Sequence, residues 1–258
     1  MFSKAYQKAT KYTRPVIVSR RQADGTVVSG AGTYIIVNAD GWIITAAHIL
    51  DTLTRFQKDA AEIADYEAQK LQIENDPKLN SKQKRKTISR LPKKSDWITN
   101  YSYFWSVPGI GVNAGIANVV ADIAIARLEP FDPNSVQEYP VFRDMSRELL
   151  LGTSLCRLGF PFHEIKATFD DATKHFTLPN GTLPVPFFPN EGIHTRIAMI
   201  THSNGQTAKF IETSSPGLKG QSGGPIFDTD GVICGIQSRT AHLQLGFSPT
   251  RYNFNATF

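Results

Sequence analysis

Apolar residues fall mostly into short runs of four to ten, bounded by Gly, Asp, Asn and Pro, which predicts strands joined by turns. Pro15 to Arg20 reads as a short strand, Asp24-Gly25 as a turn, and Val27 to Val37 as a longer strand rich in β-branched and small residues. Asn38 to Gly41 then predicts a hairpin turn and Trp42 to Thr45 the returning strand. Strand character resumes at Trp97 to Phe104, Val119 to Leu128 and Leu149 to Leu158, with Gly159-Phe160-Pro161 as a turn. Further strands are expected at Ile197 to Thr201, Ala208 to Thr213, Pro225 to Asp228 and Val232 to Ser238, the last two joined at Asp230-Gly231.

Two stretches break this rhythm. Leu53, Phe56, Ala60 and Ile63 recur at helical spacing among charged residues. They predict an amphipathic helix over about 53–74, capped by Asp51 or Thr52 and broken at Asp76-Pro77, then a polar, basic connector to about 95. The span 161–192 carries Pro179, Pro184, Pro186 and Pro189, which argues for an extended surface loop rather than a central strand. The pattern predicts an N-terminal extension (1–14), a β-rich unit with a helical insertion at about 51–96 (15–135) and a second β-rich unit (136–258), with a linker at Pro130 to Pro140.

Composition narrows the picture modestly. Lys and Arg number 28 against 23 Asp and Glu, a net charge of +5. The densest basic run, Lys82 to Lys86, suits a solvated loop or helix end and no nucleic-acid motif accompanies it, so no nucleic-acid partner is expected. No apolar run is long enough to span a membrane, and none is expected to engage one. The two cysteines, Cys156 and Cys234, read as buried free thiols in a reducing compartment. The N-terminus lacks an apolar signal region, so a cytoplasmic location is expected. Lys4, Lys8, Lys11 and Arg14 give the composition of a transit segment, which leaves organelle import open. The chain stops at Phe258 soon after the last expected strand, so a longer protein with a further domain is consistent with it.

The chemistry sits in three places. Gly220-Gln221-Ser222-Gly223-Gly224-Pro225 offers a serine in a loop where backbone can approach a substrate closely. Thr45-Ala46-Ala47-His48 places an imidazole just after a strand. Asp122, in the apolar run Val119 to Ile125, is costly there unless paired, and an imidazole is a natural partner. A serine nucleophile needs a base, an acid to fix the base's tautomer, and N–H donors for the oxyanion. Ser222, His48 and Asp122 are the candidates, with the N–H groups of Gly220 and Ser222 as donors.

These segments resemble trypsin-like serine proteases of the chymotrypsin fold, nearest to the bacterial trypsin-like and high-temperature-requirement (Deg-type) branch. The similarity lies in Gly30-Ala-Gly-Thr-Tyr-Ile-Ile, Asp40 to His48, Asp122-Ile-Ala, Leu158-Gly-Phe-Pro161, Gly220 to Pro225 and Asp230-Gly231-Val-Ile-Cys-Gly235-Ile, in that order. The resemblance implies an all-β protein of two antiparallel six-stranded barrels with the site between them. It also implies a substrate-pairing strand at Gln237-Ser238-Arg239-Thr240, with Ser238 beside Asp122, and a primary pocket involving Ser214 to Leu218, Pro216 among them, and Gly246-Phe247. No acid lies at Ser214 to Leu218, so an apolar or small residue before the cut is expected rather than Lys or Arg. Gln221 stands where zymogen-type members carry an Asp, which argues against activation by N-terminal cleavage. The expected activity is serine endopeptidase without metal or cofactor, acting on proteins or peptides under a regulatory partner or domain. The alternative is a latent or inactive protease-fold module that binds a partner through the 51–96 insertion.

Overall fold

The computed structural model describes residues 1–245 and 248–256, with side chains described through Thr240 except that of Ala114. Gly246, expected in the primary pocket, and its neighbour Phe247 lie outside the described residues. The chain opens with helix α1 (Ser3–Tyr12), which runs into strand β1 (Thr13–Gln22). Strands β2 (Val27–Ile36) and β3 (Trp42–Thr45) follow, then a 3-10 turn (Ala47–Leu50), helix α2 (Asp51–Asn75) and helix α3 (Ser81–Ile88). Strands β4 (Ile98–Phe104), β5 (Gly111–Asn118) and β6 (Ile123–Glu129) complete the first sheet, in the order β4-β1-β2-β3-β6-β5. It is a nearly closed barrel.

The second half contributes β7 (Ser154–Gly159), a small hairpin of β8 (Thr168–Asp170) and β9 (His175–Thr177), then β10 (Phe188–Thr201) and β11 (Thr207–Thr213). With β12 (Pro225–Phe227), β13 (Ile233–Leu245) and β14 (Ser248–Ala256) these strands close a barrel in the order β10-β11-β14-β13-β12-β7. The architecture is the mostly-β, two-barrel chymotrypsin-like arrangement expected from the sequence.

One apolar cluster holds the halves together. Tyr34, Ile35 and Trp105 from the first barrel meet Leu158, Phe227 and Ile236 from the second, and α1 seals the seam with Ala5, Ala9 and Tyr12. Phe2 meets Phe227 edge-on at 6.1 Å, and Lys8 Nζ donates to Asp230 O at 3.0 Å. The N-terminal extension is therefore structural: its small residues let the helix lie close to the barrels.

The insertion leans on β4. Phe56 packs on Tyr101 at 4.8 Å and Tyr66 on Trp97 at 5.8 Å. Buried Asp59 accepts the Ile98 N–H at 2.8 Å, and Glu62 accepts from Trp97 Nε1 at 2.8 Å. The polar, basic connector contains α3, with a capping box in which Asn80 Oδ1 accepts from Gln83 N and Gln83 Oε1 from Asn80 N, both at 2.9 Å.

Several expectations need correction. The strand expected from Leu149 begins only at Ser154, after a turn at Leu151-Gly152, and α2 starts at Asp51 without the expected side-chain cap from Asp51 or Thr52. The span 161–192 is not all loop: it holds the β8–β9 hairpin, and β10 begins at Phe188 with Pro189 opposite Leu158 of β7. Pro189 stands second in the strand, where a missing N–H costs the ladder least. The run Val119 to Leu128 is not one strand either. Asn118 ends β5, its Oδ1 accepts from Ala121 N at 3.0 Å, and residues 119–122 form a turn before β6.

Candidate active site

The antiparallel pairing of β3 with β6 sets Thr45 opposite Ala124. The turn just after β3 and the turn just before β6 are therefore neighbours, and they carry His48 and Asp122. Asp122 has φ +55, a left-handed conformation that Asp tolerates better than most residues. In this pose its backbone carbonyl accepts from Ala47 N at 3.1 Å and its carboxylate turns to the histidine. Oδ1 accepts from His48 N at 2.9 Å, and Oδ2 lies 2.8 Å from His48 Nδ1. The second barrel contributes Ser238 of β13, whose Oγ donates to Asp122 Oδ2 at 2.6 Å.

Asp122 is 4% exposed. Burial alone would raise its pKa, but the hydrogen bonds from His48 and Ser238, with the charge of the imidazole when protonated, hold it below the usual carboxylate value. An ionised carboxylate only accepts, so Nδ1 must carry the proton toward it. His48 Nε2 is left as an acceptor, on a side chain 40% exposed at the cleft. Asp51 shares a hollow of about 390 Å³ with His48, Asp122 and Arg239, and burial pushes its carboxyl above the ordinary value.

The glycine-rich loop is clamped from several sides. Gly220 O accepts from Phe160 N at 3.1 Å and from Thr33 Oγ1 at 2.8 Å. Ser222 O accepts from Thr33 N at 2.8 Å, while Gly223 N donates to Gln237 O at 2.7 Å and Gln237 N returns a bond to Gly224 O at 2.8 Å. Gly223, at φ +83, lies so close to Thr33 O and Thr45 Oγ1 that a β-carbon would sit 2.1 and 2.3 Å from them. This contact seats the loop directly against Thr45-Ala46, just before His48. Gly220, at φ +98, would set a β-carbon 2.4 Å from Phe160 O. The N–H groups of Gly220 and Ser222 bond to no acceptor among the described residues, and Ser222 Oγ makes no hydrogen bond there.

Gln221 is fully buried: Oε1 accepts from Leu218 N at 3.0 Å and Nε2 reaches Phe188 O at 3.5 Å. Of the expected substrate-contacting residues, Arg239 donates to Val119 O at 3.3 Å and lies over the Phe210 ring. Thr240 Oγ1 donates to Gly217 O at 3.3 Å, and Pro216 O accepts from Asn190 Nδ2 at 2.8 Å. Thus Gly217 ties Thr240 to the segment before the loop.

Sequence reasoning missed Thr33, Thr45 and Arg157. Thr45 Oγ1 donates to Thr33 O at 2.7 Å, so the two threonines form a chain from β3 to the serine loop. Arg157, 1% exposed, donates to Thr213 Oγ1 at 2.7 Å and Ser215 O at 3.0 Å, and also to Ser215 Oγ. Burial lowers its pKa to about 10, which leaves it charged at neutral pH. Cys156 and Cys234 are free and buried, and burial raises their thiols to about 11 and about 12.

A family model described as a trypsin-like peptidase domain matches residues 30–236. Among solved structures, the Rv3671c protease from M. tuberculosis in its active form is similar at TM-score 0.54 and 12% identity, covering 98% of this chain and 78% of that one. An HtrA-type protease, AlgW, with a tripeptide, is similar at TM-score 0.54 and 11% identity, covering 100% of this chain and 60% of that one. At such identity the likeness is one of fold. No curated protein matches the chain by sequence.

Proposed function

The chain belongs to the trypsin-like peptidase family, and from that premise we propose that it is a serine endopeptidase using Ser222, His48 and Asp122. The observation that carries the reading is the bond from His48 Nδ1 to buried Asp122 at 2.8 Å, which leaves Nε2 as the acceptor. His48 takes the proton from Ser222 Oγ as that oxygen attacks the peptide carbonyl. The oxyanion is met by the N–H groups of Gly220 and Ser222, which bond to nothing else among the described residues. His48 then donates to the departing amine, and a water repeats the sequence in reverse to free the acyl group. Asp122 stays ionised throughout and stabilises the imidazolium.

The substrate's acyl side lies along Gln237 to Thr240, and the residue before the cut enters beside Ser215 and Pro216. Arg157 supports an apolar or small side chain there, because its buried charge lies behind Ser215 and no acid stands between Ser214 and Leu218. A cation from Lys or Arg would meet repulsion and find no counter-ion. The test is an internally quenched peptide library. Cleavage after small or apolar residues, lost in Ser222→Ala, is expected; strong selection of Lys or Arg would overturn the specificity.

A second reading, a latent module whose insertion engages a partner, draws on the absence of a hydrogen bond at Ser222 Oγ among the described residues. Active-site hydrogen bonds are often long before substrate binds, so the first reading stands ahead. No hydrolysis and no labelling of Ser222 by a fluorophosphonate under any condition would favour the second.

A further inference from the structure

His48 stands between two sides of the cleft. Toward one lie Asp122, Ser238 and Arg239; toward the other lie Gly30, Lys219 and Arg20. If the acyl side of the substrate follows Gln237 to Thr240, as proposed above, the chain beyond the cut must leave over the second side. There a hollow of about 200 Å³ beside His48 continues, through Val28 to Ala31 and Lys219, into a groove of about 720 Å³ that starts at Gly220.

This side has an uncompensated positive charge. Lys219, exposed and next to Gly220, makes no ion pair or hydrogen bond among the described residues. The side chain of Arg20, half-buried on β1, likewise makes none among them, and its Nε is enclosed without a partner. The smaller hollow is lined by no acid. The single acid of the larger groove, Glu164, is already 3.1 Å from Lys166.

The main chain here is also open to a partner. β2 pairs with β1 along Val27 to Ile35, whereas its pairing with β3 covers only Tyr34 to Ile36. Among the described residues no strand lies on the other edge of Val27 to Gly32, so an extended peptide can add there as a strand.

We infer that this cleft binds the leaving-group side of the substrate in extended form, and that Arg20 and Lys219 select an acidic side chain at the first or second residue after the cut. The inference rests on the proposed serine-endopeptidase reading. A carboxylate placed between the two cations forms charge-assisted hydrogen bonds that its amide isostere cannot match.

The experiment compares kcat/KM for quenched peptides that differ only by Glu or Gln at the first, and then the second, residue after the cut. The Glu/Gln ratio within each enzyme cancels any change in overall activity. The wild type is expected to favour Glu about tenfold at one of these positions, the return of one good charge-assisted bond. Lys219→Met and Arg20→Met should each lower the ratio, and the double variant should bring it below about twofold. Should Arg20→Met fail to fold, Lys219→Glu, at an exposed position, is expected to invert the preference. A ratio near one at both positions in the wild type, or one that survives in Lys219→Glu, overturns the inference. A peptide nitroanilide, which has no residue after the cut, separates the two claims. Hydrolysis of it with no Glu preference sinks this inference alone, while no hydrolysis of any substrate and no labelling of Ser222 sinks the reading on which it rests.

Discussion

Replacing Asp122 by Asn probes the electrostatics of the site with almost no change in shape. The carboxylate accepts three hydrogen bonds: His48 N on Oδ1 at 2.9 Å, and His48 Nδ1 and Ser238 Oγ on Oδ2 at 2.8 and 2.6 Å. An asparagine keeps the first through its carbonyl. Its amide nitrogen takes the place of Oδ2 and can only donate. The imidazole then presents Nδ1 as a lone pair, the proton moves to Nε2, and the base for Ser222 is gone. The cost is a fall in kcat of about 10⁴, equivalent to about 5.5 kcal/mol of transition-state stabilisation. Ser238→Ala removes one of the three bonds and leaves the tautomer intact, so its kcat should fall by about tenfold or less. The assay is kcat for both variants with one quenched peptide, with folding confirmed by thermal melting. Asp122→Asn within tenfold of wild type would refute the assignment of the acid, and a Ser238→Ala loss as large as that of Asp122→Asn would refute the tautomer argument.

The remaining predictions concern stability. The Asp122 pKa is lowered from 3.8 in the folded protein, so the carboxylate contributes stability that is fully present above that ordinary value and lost as the pH falls through the lower folded value. Acid titration of the melting temperature should show this loss below pH 3.8, and it should be absent in Asp122→Asn. Gly223→Ala forces a β-carbon to 2.1 Å from Thr33 O at φ +83, so Tm should drop by about 5 °C or more and activity with it; a normal Tm would contradict this close seating of the loop on Thr33. Asp59→Ala leaves the buried Ile98 N–H without its acceptor and should cost about 1–3 kcal/mol in chemical denaturation, with Asp59→Asn recovering most of it.

Much of this arrangement was legible in the sequence because its signals were local. The β-branched run of β2, the Asn38 to Gly41 turn and the helical spacing from Leu53 to Ile63 each carry their period in a few residues. The shape of the Asp122 turn was not. Val119 to Ile125 is uniformly apolar apart from the acid, and nothing local distinguishes a turn from a buried strand. The turn exists because β3 pairs with β6 and brings His48 within reach. Helix α1 escaped notice because its buried face is Ala5, Ala9 and Tyr12, two of them small, under a run of lysines that reads as a loose extension. The capping box of α3 was a readable signal; with no buried residue on that helix, hydrophobic pattern could not reveal it. Arg157 lies in an apolar strand like any other, and only the closed barrel shows its guanidinium against Ser215.

The central claim is that Ser222 is a nucleophile activated by His48. It is tested most directly by intact-mass and peptide-level analysis after treatment with a fluorophosphonate probe. The account predicts one covalent adduct on Ser222, absent in Ser222→Ala and strongly slowed in His48→Ala. An adduct that persists in Ser222→Ala, or no adduct on a wild-type protein that cleaves peptides, would contradict it.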